Sequence, residues 1–77
     1  MSKFVFFSAD EGMIEVHIEN TLIGCVSTAK NLRTLLEING VTRHDDLAAS
    51  SSIDFCDECG FEPGEAGRII EEALATL

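Results

Sequence analysis

The chain has few of the residues that nucleic-acid-binding and membrane proteins rely on. Its 77 residues include no tryptophan, no tyrosine and only five Lys and Arg. The cations are scattered and those two base-stacking side chains are absent, so we expect no direct binding to nucleic acid. No apolar stretch approaches the roughly 20 residues that a membrane helix needs. A signal peptide is also not visible after Met1, because the apolar run "FVFF" is short. We therefore expect a soluble, cytoplasmic protein with no membrane partner.

Motifs for catalysis are also missing. The sequence has no glycine-rich phosphate loop and no nucleophile motif. His44 stands beside Asp45 and Asp46, but acidic residues in the first turn of a helix ordinarily stabilise the helix dipole. We expect no enzymatic activity, no catalytic residue and no cofactor.

Acidic residues are abundant and unevenly placed. Fourteen Asp and Glu give a formal net charge of -9. Residues 1–39 contribute -2 of this charge and residues 40–77 contribute -7. A surface this negative repels nucleic acid and anionic membrane, and attracts basic surfaces such as those that hold phosphate backbones.

The first 26 residues have the pattern of a small antiparallel sheet. The segment "KFVFFS" is followed by turn residues, and "MIEVHIE" then alternates strictly between apolar and polar. This period of two predicts a half-buried strand, and the two segments together predict a β-hairpin. After a second turn at "NT", the segment "LIGCV" favours a third strand.

Helical patterns follow the sheet. Ser27 or Thr28 is the predicted N-cap of a helix that ends at Ile38, and Asn39-Gly40 is its stop signal. A second, short helix is predicted from Thr42 through Ala49, because Thr42 and Asp45 resemble a capping box.

The last part of the chain contains one more helix. Pro63 suits the first helical position, and apolar residues then recur at helical spacing through Leu77. Residues 52–59 are either a short helix closed by Gly60 or a loop. The prediction is one α+β domain over residues 1–77, with an antiparallel sheet of two to three strands followed by about three helices packed on one face.

The pair Cys56-x-x-Cys59 resembles half of a zinc site. A structural zinc ion needs four ligands, and the other candidates are single residues, namely Cys25, His17 and His44. A small zinc-stabilised interaction module is therefore the alternative hypothesis. If the pair does not bind zinc, both cysteines are expected to be small apolar residues of the core.

Redox chemistry at this pair is not expected. Activation of a thiol needs nearby positive charge, whereas the neighbours here are Asp54, Asp57 and Glu58.

The acidic segment itself is the main candidate for a binding site. Between Asp54 and Glu72 seven carboxylates are opposed by Arg68 alone. Carboxylates three to four residues apart on a helix repeat every ~5–6 Å, which is comparable with the spacing of phosphates along a strand. The predicted partner-binding residues are Asp54, Asp57, Glu58, Glu62 and Glu65, flanked by Glu71 and Glu72.

The segments "MSKFVFFSADEGMIEVHIEN" and "IDFCDECGFEPGEAGRIIEEAL" together resemble the small phage-encoded anti-CRISPR proteins, above all those that act on type I systems. The likeness lies in size, acidity and a β-first α+β layout without a catalytic motif. It implies a non-enzymatic inhibitor in the host bacterial cytoplasm, and we separately expect a monomer. Such an inhibitor would bind the basic DNA path of a type I surveillance complex and imitate DNA.

A third hypothesis is that the chain is a subunit of a larger assembly and uses "FVFF" as its interface.

Overall fold

A computed structural model of the chain describes residues 2–55 and 60–77, and for residues 52–55 it describes the backbone alone. In chain order the elements are β1 (Val5–Asp10), β2 (Met13–Ile18), β3 (Thr21–Val26), α1 (Ala29–Ile38), β4 (Ser52–Phe55) and α2 (Glu65–Ala75). The four strands form one sheet in the order β3-β2-β1-β4. β1, β2 and β3 are antiparallel neighbours, whereas β4 is parallel to β1.

Both hairpins close through two-residue turns with positive φ. Glu11 and Gly12 connect β1 to β2 at φ 49° and 77°, and Glu19 and Asn20 connect β2 to β3 at φ 51° and 67°. Two successive positive φ values are the mark of a type I′ turn, whose twist matches that of the strands it joins. The predicted antiparallel sheet of up to three strands is confirmed.

The alternation in β1 and β2 places one apolar face of the sheet in the core. Val5, Phe7 and Ala9 are buried, and across from them lie Ile18, Val16 and Ile14. α1 adds Leu32 and Leu36 to the same core, and α2 adds residues at helical spacing. The buried residues of α2 are Ala66, Ile70 and Ala73. The other face of the sheet carries Phe6, His17 and Glu15, as the period of two predicts.

α1 has the predicted bounds and the predicted caps. Thr28 is its N-cap, with Oγ1 accepting a hydrogen bond from the amide of Asn31 at 3.2 Å. Gly40, with φ 88°, follows the C-cap Asn39 in the left-handed conformation that ends many helices.

Thr28→Ala is expected to lower the free energy of unfolding by about 1 kcal/mol, because the amide of Asn31 loses its acceptor. Urea denaturation measures this value. Thr34→Ala is the matched control, since the Thr34 hydroxyl only donates to the carbonyl of Lys30 within the helix. The control should change stability by no more than a few tenths of a kcal/mol. Equal losses in the two variants would contradict the capping role.

The predicted helix from Thr42 through Ala49 is wrong. The segment contains one 3₁₀ turn, His44–Asp46, and then Leu47 pairs with Lys3 in an isolated parallel bridge. The amide of Lys3 donates to the carbonyl of Asp46 at 2.7 Å, and the amide of Ala48 donates to the carbonyl of Lys3 at 2.7 Å. Pairing with the chain just before β1 thus engages the carbonyl of Asp46 and the amide of Ala48, which a longer helix would need for its own hydrogen bonds.

Asp46, not Asp45, closes this turn. Its Oδ2 accepts hydrogen bonds from the amide of Thr42 at 3.0 Å and from the Thr42 hydroxyl at 3.2 Å. The bond from the Thr42 amide holds the pKa of Asp46 below its ordinary value of 3.8. A carboxyl with a lowered pKa in the folded state stabilises the fold above the unfolded pKa, and this contribution is lost as the pH falls through the folded pKa.

Asp46→Asn is expected to be less stable than the unchanged protein at neutral pH, because an amide oxygen is a weaker acceptor than a carboxylate. The difference should begin to shrink as the pH falls below 3.8 and should approach zero once the pH has passed the lowered pKa of folded Asp46, because the carboxyl is then protonated in both states. Thermal unfolding over a pH series measures the difference. Asp45→Asn removes the same charge from the neighbouring position and should not reproduce the trend. A pH-independent difference for Asp46→Asn would refute the assignment.

Three further expectations need correction. The described part of residues 52–59 is neither helix nor loop, because Ser52–Phe55 form β4 and pair with the open edge of β1. The described residues contain two α-helices and the 3₁₀ turn instead of about three helices. Pro63 is not the first helical residue either, since α2 begins at Glu65 after the N-cap Gly64.

The turn before α2 explains the late start of the helix. The amide of Glu65 donates to the carbonyl of Glu62 at 3.0 Å. Gly64 has φ 79° and ψ -5°, the values of the third residue in a type II turn, whose second position favours proline. Pro63 therefore belongs to the turn.

Candidate functional site

Gly60 lies against the turn that joins β1 and β2. A Cβ atom on Gly60 would clash with the amide nitrogen of Gly12 and lie only 2.8 Å from the carbonyl carbon of Glu11 and the Cα of Gly12. Gly60 also has φ +80°, a conformation that side chains disfavour. This close contact joins two backbone segments that are far apart in sequence. It fixes the position of the chain at Gly60 against the β1–β2 turn.

Carboxylates from both halves of the chain lie on the two segments that meet at this contact. Asp10 ends β1 and Glu11 begins the turn, and both are exposed. Glu62, which is also exposed, follows Gly60 by two residues. We call Asp10, Glu11 and Glu62 the turn carboxylates.

The surroundings of the turn carboxylates contain few cations. The sequence has no Lys or Arg between Lys3 and Lys30, a stretch that spans all three antiparallel strands. Arg68 lies near the start of α2, where its Nη1 is 3.4 Å from the position that a Cβ on Gly64 would take. Among the residues that the structure describes, no charged side chain is fully buried, so these carboxylates are open to a partner.

Glu65, one of the predicted binding residues, has a local role. Its Oε1 accepts a hydrogen bond from the amide of Glu62 at 3.1 Å. This bond satisfies a backbone donor ahead of α2 and places a negative charge at the positive end of the helix dipole. Glu65 thus stabilises the start of α2 while it adds to the negative field there.

Glu71 and Glu72 are both exposed on α2. Glu72 and Thr76 line a groove of about 170 Å³ together with Ala29, Lys30 and Arg33 of α1. These two cations weaken the field of Glu72. The carboxylates of α2 therefore do not form an uninterrupted row, because Glu65 is engaged locally, Arg68 intervenes and Glu72 faces basic residues.

The groove between the two helices is small. Its volume of about 170 Å³ is below the roughly 300–1,000 Å³ of pockets that hold drug-sized ligands. It gives no support for a substrate pocket.

Of the remaining predicted binding residues, the structure describes the backbone of Asp54. Asp54 lies in β4, where its backbone pairs opposite Ser8 of β1. Asp57 and Glu58, together with Cys56 and Cys59, lie outside the described residues. Asp10 and Glu11 were not predicted as site residues, because nothing local in the sequence shows that Gly60 packs on their turn.

The single residues proposed as further zinc ligands come from three different elements. Cys25 is exposed on β3, and His44 is exposed in the 3₁₀ turn. His17 lies on the open sheet face, with its ring 5.7 Å from that of Phe6 in an edge-to-face contact. Its Nδ1 is buried and has no hydrogen-bond partner among the described residues. Within residues 2–55 and 60–77 no three His, Cys, Asp or Glu side chains are grouped to hold a metal ion. The zinc hypothesis remains a prediction about Cys56 and Cys59, which metal analysis of protein purified without chelator would test.

No helix in the described segments is long and apolar enough to cross a membrane. Comparison of the chain with models of protein families, with curated proteins and with solved structures gave no match.

Proposed function

We propose that this protein is a non-enzymatic inhibitor whose acidic surface docks on the basic, DNA-binding surface of another protein. The docking surface consists of the turn carboxylates and the acidic segment that follows β4. The partner would be held at positions where it otherwise contacts phosphates, so that this protein and DNA exclude each other.

The observation that carries the proposal is the packing of Gly60 on the β1–β2 turn. Because of this contact, Asp10 and Glu11 are added to an acidic segment that already has a local charge of -6 between Asp54 and Glu72. The backbone that carries the turn carboxylates is constrained on both sides, because Gly60 packs on the type I′ turn and two hydrogen bonds between Glu62 and Glu65 close the turn before α2. Preorganised charge loses less entropy on binding than charge carried by a loose tail.

The electrostatic balance favours a basic protein as the partner. A chain with net charge -9 approaches a positively charged channel under attraction, which raises the association rate and makes it sensitive to salt. The same charge disfavours direct contact with nucleic acid. For the partner we propose the DNA path of a type I CRISPR surveillance complex, in line with the resemblance to anti-CRISPR proteins.

A pull-down experiment tests this function. The tagged protein is incubated with nuclease-treated lysate of bacteria that carry a type I CRISPR system, and bound proteins are eluted with a salt gradient. We expect the surveillance complex to be retained at low salt and released at moderate salt. Failure to retain it at low salt would overturn the choice of partner.

A further inference from the structure

β3 is the edge of the sheet on the side away from β4. In the order β3-β2-β1-β4 it pairs with β2 on one side, and none of the described segments pairs with its other side. An edge strand of this kind presents backbone N–H and C=O groups that a further strand can use.

This edge differs from the rest of the molecule in charge. Residues 20–29, which include all of β3, form the longest stretch of the sequence without Asp, Glu, Lys or Arg. Leu22 is 52% exposed on this strand, and Cys25 is exposed as well. Natural edge strands are commonly protected by charged side chains, and β3 has none.

The helix beside this edge adds an apolar contact. Leu35 of α1 packs over the middle of β3, where its Cδ2 lies 3.1 Å from the position that a Cβ on Gly24 would take. Ile38, about one turn further along α1, is 74% exposed. Residues three apart are neighbours on a helix surface, so Ile38 extends the apolar surface that begins at Leu35.

We propose that a second copy of this chain binds at the outer edge of β3. In a chain with net charge -9, contact between two copies is repulsive wherever carboxylates meet, and the β3 edge is a surface where they do not. Antiparallel pairing of the two β3 strands about a twofold axis gives each copy the same contact, as is usual for dimers. The monomer expected from the sequence would then be the dissociated form.

Strand pairing and helix contact both contribute to this interface. The ladder between β2 and β3 has a register shift at Val16 and His17, which bends β3 and limits the length of a new ladder. Twofold pairing also places the two α1 helices on the same face of the extended sheet. The exposed Ile38 side chains can then become covered.

The test is sedimentation velocity over a concentration series. The unchanged protein should approach twice its monomer mass of 8.4 kDa as its concentration rises. Leu22→Glu combined with Ile38→Glu should remain at the monomer mass, because the new carboxylates repel each other across the axis. The control combines Met13→Glu with Ala75→Glu, which adds two carboxylates at exposed positions outside β3 and α1. It should still dimerise.

Hydrogen exchange of the unchanged protein gives an independent result that does not depend on a variant. Amides of β3 should exchange more slowly as the protein concentration rises.

Added salt should strengthen the dimer by screening repulsion between copies, whereas it should weaken docking on a basic partner. A monomer at every concentration, or a dimer that the β3 and α1 changes leave intact, would overturn the proposal without affecting the proposed function.

Discussion

Gly60→Ala is expected to lower the free energy of unfolding by about 2–4 kcal/mol. An alanine at φ +80° is strained by about 1 kcal/mol or more, and its Cβ would press on the backbone of Glu11 and Gly12. Overpacking of this kind typically adds about 1–3 kcal/mol. Both effects act on a domain whose total stability is of the order of 5–10 kcal/mol. Urea denaturation monitored by circular dichroism gives the value.

Gly67→Ala is the matched control for this substitution. Gly67 lies inside α2, where a Cβ would meet nothing within 4 Å. Alanine there should raise the free energy of unfolding by about 0.5–1 kcal/mol, because glycine is a poor helix former. If Gly60→Ala were as stable as the unchanged protein, the packing of Gly60 on the β1–β2 turn would be wrong, and with it the placement of the turn carboxylates.

Neutralising the turn carboxylates is expected to weaken binding to the basic partner by about tenfold or more at low salt. The variant combines Asp10→Asn, Glu11→Gln and Glu62→Gln. Each lost ion pair at a protein surface is worth up to about 1 kcal/mol, and 1.4 kcal/mol corresponds to a factor of ten in affinity. The slope of affinity against salt concentration should also become shallower, since fewer charges are screened. Fluorescence anisotropy with the purified partner measures both quantities.

The control for this variant removes three carboxylates elsewhere. Each of them has a local partner: Glu19 accepts from the amide of Phe4, Glu37 is 3.9 Å from Arg33, and Asp45 is 3.4 Å from Arg43. Changing all three to amides raises the net charge by the same amount. If this control lost as much affinity as the turn variant, binding would depend on net charge alone and the proposed surface would have no special role.

The antiparallel part of the fold could be predicted because its signals are local. The alternation in β2 identifies the buried face, and the first hairpin turn falls at "EG". The second turn is at Glu19 and Asn20, one residue before the predicted "NT", because Thr21 already belongs to β3. α1 was predicted with its bounds for the same reason, since Thr28 and Gly40 act within one turn of the helix that they cap.

The parallel strand β4 could not be predicted in this way. Its pairing with β1 joins residues more than 40 positions apart, such as Phe7 and Ile53, and no turn residue specifies it. The short helix predicted after Thr42 failed for the same reason, because the long-range bridge between Lys3 and Leu47 replaced helical hydrogen bonds. Local helix propensity does not decide the structure of a segment that can pair its backbone with a distant part of the chain.

The candidate site was predicted in composition but not in arrangement. Charge counting identified the acidic segment, and Glu62 of that segment is exposed as expected. The prediction grouped Glu65 with Glu62 and made Glu72 a flanking residue. In the structure Glu65 accepts a hydrogen bond from the amide of Glu62, and Glu72 lines a groove with Lys30 and Arg33. Asp10 and Glu11 enter the site only through the packing of Gly60, which is a property of the folded chain.

Displacement of DNA from a purified type I surveillance complex tests the central claim most directly. Labelled target DNA is bound to the complex, and the unchanged protein is titrated in while the anisotropy of the label is recorded. We expect DNA to be released as the protein saturates the complex, and we expect release to require more protein when the turn carboxylates are neutralised. DNA that stays bound while this protein also binds would contradict the claim that the acidic surface occupies the DNA path.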